Sequence, residues 1–207
     1  MQNYLKLSSI NICLSYINED KVDSIIKCTI EIVSLILYNV LNTKSYMNTR
    51  PDFDDIYMEL AVNLAKRSHC IKRHVGAVLT KDTRIISIGY NGPPENTHNC
   101  DEEWPGKGCP SDSKGSCSLA LHAEQNAIVF AVKNGTEVKG STIYVTLSPC
   151  ISCARLLYAS GIKKVIYLNS YAEYKGIPLD EGNEFLKKFG VEVEKYSGDL
   201  TVLSDKI

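Results

Sequence analysis

Two short stretches carry residue types that could do chemistry together. "LSPCISCARL" places Cys150 and Cys153 three apart, directly after Pro149, and "LHAEQNA" places His122 two residues before Glu124. A Cys-x-x-Cys alone is open to three readings: a redox pair, half of a metal site, or coincidence. One imidazole and two thiolates, however, are the donor set of a catalytic zinc site that keeps its fourth position for water. A three-residue spacing brings both sulfurs to one side of a first helical turn, where the free N–H groups and the positive dipole end favour the thiolate. Pro149 suits the entry to that helix. Glu124 is not needed as a ligand. At two residues from His122 it can face the water and move its proton, as general acid–base catalysis requires. A thioredoxin-like pair would leave His122 and Glu124 unexplained.

The elements that must position these residues follow from periodicity and turn chemistry. "DDIYMELAVNLAKRS" carries Ile56, Leu60 and Leu64 at helical spacing, with Asp54 or Asp55 as the expected cap. "VGAVLT" and "RIISIGY" predict two strands joined by a hairpin at Lys81-Asp82-Thr83. A long loop rich in Gly, Pro and Asn follows, about 91–118, of a length that suggests function or a metal staple. Beyond it the pattern runs helix ("LALHAEQNAIVFAVKNG"), strand ("TIYVTL"), helix ("CARLLYASG"), strand ("KKVIYL"), helix ("DEGNEFLKKFG") and strand ("VEVEKY"). That alternation predicts an α/β domain with a partly parallel sheet and helices on both faces.

The chain has 207 residues, enough for one domain with a core. Its 23 Lys and Arg against 24 Asp and Glu give a formal net charge of -1, so no basic footprint marks it for nucleic acid. There are eight cysteines, and no N-terminal stretch reads as a secretory signal. Thiols in a reducing, cytoplasmic setting point to metal or catalysis rather than disulfides. The first 46 residues differ in character from the rest, with no Gly or Pro and one long apolar run, "SIIKCTIEIVSLILYNVL", which Lys27 and Glu31 interrupt. Its uncharged part is short for a membrane span. A docking helix, a weak anchor, and a segment outside the working protein are all open. The last reading makes Met47 the true start and 47–207 the working domain. Mass spectrometry of the native N-terminus tests it: a peptide ending within residues 1–40 refutes it.

Residues 52–196 resemble the deoxycytidylate (dCMP) deaminases of the cytidine deaminase superfamily. The resemblance rests on "VGAVLT", "GYNGPP", "HAEQNAI", "YVTLSPCISCARLL" and "GIKKVIYL", in that family's order. It implies a three-layer α/β/α cytidine deaminase-like fold with a mixed five-stranded sheet, and hydrolysis of dCMP to dUMP and ammonia at a catalytic Zn2+ held by His122, Cys150 and Cys153, with Glu124 as the catalytic acid–base. Asn91, in "GYNG", is implied as the ligand of the sugar hydroxyl, although Asn-Gly is also a turn signal in its own right. A backbone carbonyl near Ser148 is implied as acceptor for the leaving amine. Asn126 reads as a helix–loop hydrogen-bonding residue before it reads as a substrate contact. For the phosphate, Lys133 is one candidate and the group Lys72, Arg73 and His74 another; a solvated surface charge is the alternative for each. Cys70, Cys100, Cys109 and Cys117 flank or occupy the long loop and could close a second, structural zinc site. His98 or His69 could replace one thiol, since some relatives use a mixed ligand set there, and four unrelated buried thiols is the other reading. Cys13 and Cys28 have no visible partner. Many relatives are homohexamers, activated by dCTP and inhibited by dTTP, so a homo-oligomer and allosteric regulation are implied. Deamination of another base or nucleoside, including one in tRNA, and a catalytically silent zinc-binding module of the same fold are the competing functions. No polynucleotide or membrane partner is expected.

Overall fold

The computed structural model describes residues 51–103, 109–113, 117–198 and 200, together with 29–30 and 33–34. The chain divides into two units, Met1–Arg50 and Pro51–Ile207. In the first, residues 29–30 and 33–34 are helical. Cys13, Cys28 and Met47 lie outside the described residues, so the expectations that fall on them do too.

The second unit opens with α1, Phe53–Ala65. Its cap is Asp52, not Asp54 or Asp55: the Asp52 carboxylate accepts from the Phe53 N–H at 2.6 Å. The two later aspartates are used elsewhere, accepting from the Tyr144 hydroxyl at 2.6 Å and the Tyr196 hydroxyl at 2.5 Å. The inward face is also rotated from the one the apolar spacing predicts. Tyr57, Met58, Ala61, Val62 and Ala65 are buried, whereas Ile56 is exposed and Leu60 and Leu64 pack at the margin. Small and aromatic side chains let the helix lie close to the sheet, and the ring of Tyr57 meets that of Tyr144 at 5.1 Å.

β1 (Gly76–Lys81) and β2 (Arg84–Tyr90) form the expected hairpin. Asp82 and Thr83 both have positive φ, 49° and 59°, the condition for a two-residue turn that matches strand twist. The long loop after β2 contains a short helix, α2 (Cys100–Glu103). Then come α3 (Ala123–Lys133), β3 (Thr142–Leu147), α4 (Ile151–Ala159) and β4 (Lys164–Asn169). A helix that periodicity did not reveal, α5 (Tyr171–Lys175), precedes α6 (Glu181–Lys188) and β5 (Glu192–Lys195). At five residues it is too short to show a period; Ser170 caps it and Gly176, with φ 64°, ends it.

The five strands lie in the order β2-β1-β3-β4-β5. β1 pairs antiparallel with both β2 and β3, while β3, β4 and β5 run parallel. Alternate side chains feed two cores. Ala77, Leu79, Ile143, Val145 and Val165 meet Ala127 of α3, Leu157 of α4 and Leu186 of α6. Val78, Tyr144 and Ile166 point the other way, against α1. The result is the three-layer α/β/α sandwich with a mixed sheet. Gly89 is obligatory in it: a Cβ there would stand 2.3 Å from the Ala123 carbonyl oxygen, so this glycine lets the N-terminus of α3 settle on β2.

Candidate metal and active centre

His122 and Cys150 each occupy the position just before a helix, the N-caps of α3 and α4, and Cys153 lies in the first turn of α4. Pro149 stands just before the cap, at the entry to α4. The three residues, 28 and 31 positions apart in sequence, converge. His122 Nδ1 lies 3.6 Å from Cys150 Sγ and 3.3 Å from Cys153 Sγ. A zinc ion about 2.0 Å from nitrogen and about 2.3 Å from sulfur sets tetrahedral neighbours roughly 3.5–3.8 Å apart, so this triangle fits the ion with little adjustment. The charges fit as well. The Cys150 thiol is drawn down to about 4, first by a hydrogen bond from Cys153 and then, against burial, by His122. Cys153 is held up by that same bond and by burial, and His122 is raised to about 9, chiefly by Cys150. The set already favours one thiolate, and metal binding would release the remaining protons. The donor set of this triangle is that of a Zn2+ site. The backbone N–H of His122 donates to Gln125 Oε1 at 2.8 Å and so fixes the start of α3.

Glu124 is buried, beside Cys153, and burial pushes its carboxyl above the ordinary range. It shares one cleft with His122, Cys150, Asn91 and Ser148. Asn91 lines that cleft, yet its side chain is already engaged. Oδ1 accepts from the Val75 N–H at 2.7 Å and Nδ2 donates to the Arg73 carbonyl at 2.8 Å. Ser148 donates its hydroxyl to Asp180 at 2.5 Å and accepts from the Tyr171 N–H at 2.7 Å. Asn126 donates to the Tyr90 carbonyl at 2.7 Å, tying α3 to the loop that follows β2.

The candidate cations separate. Lys133 does not line the cleft: it pairs with Glu95 and borders a different recess with Phe130 and Val129. His74 is exposed and outside the cleft, whereas Lys72 and Arg73 line it. Sequence reasoning missed Tyr171, Tyr174 and Lys175 of α5, which form the facing wall, and Asp180, which braces Ser148. The only trace of the wall in the sequence is a pair of tyrosines three apart.

Of the four loop cysteines, Cys100, Cys109 and Cys117 bring their sulfurs within 4.8 Å of one another. Cys70 is outside that triangle, buried and lining the cleft that holds Glu124. Burial lifts the Cys100 thiol to about 12. Cys117 moves the other way: burial opposes the shift, but the N–H groups of Ala120 and Leu119 hold it down. His69 pairs with Asp101 at 2.9 Å, and His98 is exposed; neither joins the triangle.

A three-layer sandwich that brings a His-Cys-Cys triangle to two helix N-termini, with a buried glutamate alongside, defines the cytidine deaminase-like class. The comparisons agree. Residues 51–169 match the family described as the cytidine and deoxycytidylate deaminase zinc-binding region, and this chain belongs to that family. It is 39% identical over 151 residues to the deoxycytidylate deaminase of Schizosaccharomyces pombe, covering 67% of this chain and 45% of that protein. It is 34% identical over 169 residues to that of Enterobacteria phage T2, covering 66% and 88%. The chain thus spans about half the length of its yeast relatives (45% and 46%). A crystal structure of the dCMP deaminase from cyanophage S-TIM5, in complex with dCMP and dUMP, superposes with a TM-score of 0.59 at 34% identity, over 72% of this chain and all of that one.

Proposed function

We propose that the chain hydrolyses dCMP to dUMP and ammonia, supplying dUMP for thymidylate synthesis. The observation that carries this is a buried carboxyl, Glu124, lining one cleft with His122 and Cys150 of the His122–Cys150–Cys153 triangle. The nucleotide-bound relative and the names of the yeast and phage relatives support the choice of substrate. His122, Cys150 and Cys153 hold zinc, which when bound supplies Lewis-acid activation of water at neutral pH. Glu124 accepts one proton from the attacking water and passes it to the ring nitrogen beside C4, then takes the second from the hydroxyl formed at C4 and delivers it to the departing amine. Its raised carboxyl pKa suits an alternation between acid and base. The carbonyl at Ser148 accepts from the amine, and Asn91 holds the sugar end chiefly by fixing the loop around it.

The loop thiols Cys100, Cys109 and Cys117 form the second, structural zinc site in this reading, with Cys70 as the fourth candidate ligand. Homo-oligomerisation and control by dCTP and dTTP belong to the same proposal. Val129, Phe130 and Val132 on the outer side of α3 are exposed apolar residues of the kind a second copy covers. A cytoplasmic site of action is part of the same proposal; no described helix is long and apolar enough to cross a membrane.

The deciding experiment compares ammonia release from dCMP, cytidine, cytosine and an RNA hairpin. Preference for dCMP is expected, and preference for the hairpin would assign the fold to polynucleotide editing instead. Glu124→Gln separates enzyme from silent module, since equal rates in wild type and variant would remove the catalytic reading.

A further inference from the structure

Two strands end and two helices begin close to the metal triangle, and the Asp180 side chain reaches all four. β3 and β4 run parallel with Leu147 opposite Asn169, and a buried serine follows each strand: Ser148 and Ser170. The Ser148 hydroxyl donates to Asp180 Oδ2 at 2.5 Å, and the Ser170 hydroxyl donates to the same oxygen at 3.1 Å. Asp180 Oδ1 accepts from the Asn183 N–H at 3.4 Å and so caps α6. A hydroxyl that gives its proton away keeps its lone pairs for other donors. Ser148 Oγ accepts from the Tyr171 N–H at 2.7 Å, and Ser170 Oγ from the Glu173 N–H at 3.3 Å. Two N–H groups in the first turn of α5 are therefore held by oxygens that Asp180 orients. At five residues α5 has little stability of its own and depends on such caps. The same carboxylate acts on a metal ligand. The Ser148 N–H extends the β3–β4 ladder by donating to the Asn169 carbonyl at 2.8 Å. Pro149, which follows, has no N–H to tether it. Ser148 Oγ, two residues before Cys150, thus anchors the turn that presents the thiolate. α6, which Asp180 caps, packs on that turn through Gly182. Asp180 itself is not in the lining of the cleft.

We infer that Asp180 is a positioning residue for the reaction. Through Ser148 it fixes the Cys150 thiolate against His122 and Cys153, and through Ser148 and Ser170 together it holds α5 as the wall of the cleft. One carboxylate therefore sets the metal ligands and the opposite wall to a common frame. The inference rests on the reading that Cys150 is a zinc ligand in a dCMP-hydrolysing cleft, and it deepens that reading by naming what orients the ligand.

The test compares the full chain with its Asp180→Ala, Asp180→Asn, Ser148→Ala and Ser170→Ala variants, each loaded with Zn2+ and, in parallel, with Co2+. Chelator competition is expected to show zinc affinity weakened about 10- to 100-fold in Asp180→Ala, the usual worth of a residue that orients a metal ligand from outside. The visible absorption of the Co2+ form, which reports the geometry of the sulfur ligands, shifts in the same variant, and kcat for dCMP falls about tenfold or more. Ser148→Ala changes affinity and absorption in the same direction. Asp180→Asn keeps one acceptor oxygen and recovers most of the loss. Ser170→Ala lacks the link to Cys150, so it keeps the wild-type absorption and shows its defect as a raised KM for dCMP. Thermal unfolding identifies any variant that does not fold, and Ser148→Ala, which removes a single hydroxyl, then carries the test. Lower unfolding temperatures with unchanged affinity, absorption and kcat would reduce Asp180 to a structural brace and overturn the inference. An equal spectral shift in Ser170→Ala would overturn the route through Ser148. The metal readouts need no turnover: weakened affinity in Asp180→Ala, with no ammonia released from dCMP even by wild type, would sustain the positioning role and count against the substrate reading alone.

Discussion

Glu124 is a carboxyl almost without solvent contact, and the charge of His122 beside it only partly offsets the cost of that burial. Burial favours its protonated form, and a group poised to hold and release a proton is what amine departure requires. Glu124→Gln should therefore lower kcat by about 10²- to 10⁴-fold, the usual worth of a general acid–base. Zinc content, measured by atomic absorption, should stay at the wild-type level, because the residue is not a ligand. His122→Ala should differ in kind, losing zinc and activity together. The two variants distinguish a proton carrier from a metal holder, a distinction that activity alone would miss.

The helix N-termini carry the site, and what braces them matters as much as the ligands. α6 supports the turn that presents Cys150. Gly182 packs so closely on it that a Cβ would lie 1.9 Å from the Pro149 carbonyl oxygen. Asp180, just before, accepts from the hydroxyls of Ser148 at 2.5 Å and Ser170 at 3.1 Å, joining the ends of β3 and β4. Gly182→Ala is expected to cost about 1–3 kcal/mol of stability by overpacking and to weaken zinc retention. Competition with a graded chelator would read the second effect, and wild-type retention would show that α6 is only a neighbour. Asp180→Ala should cost a similar amount, about 1–3 kcal/mol, by leaving buried hydroxyls unpaired. Thermal unfolding would check it.

At the scale of the molecule, zinc links distant parts of the chain. Binding that is restricted to the folded state raises stability by mass action, so stripping the metal should lower the unfolding temperature as well as abolish turnover, and added Zn2+ should restore both. Loss of activity with no thermal shift would mean that the triangle persists without its ion. If the thiol cluster in the loop also binds, full loading should approach two zinc ions per chain, and Cys109→Ser should remove one while leaving the other. The outer side of α3 invites association. Phe130→Asp is expected to shift the assembly towards monomer in light scattering, and an unchanged mass would place the oligomer contact elsewhere.

Much of the chemistry was legible in the sequence because it is local. Cys150 and Cys153 are one turn apart, His122 and Glu124 share a helix start, and the strand–helix alternation predicted a mixed sheet. Local readings went wrong where tertiary partners redirected a residue. Ile56 fits a helical stripe but faces outward, because Tyr57 and Met58 find the sheet. Asp54 and Asp55 look like caps but serve two distant tyrosines. Lys133 is cationic and near Glu124 in sequence, yet the path of α3 takes it to Glu95. Sequence alone thus determined which atoms could bind a metal and move a proton, since those depend on residue type and short spacing. Only the tertiary structure decided which cations line the cleft, because Lys72, Arg73, Lys175 and the triangle come from separate segments that the sheet brings together.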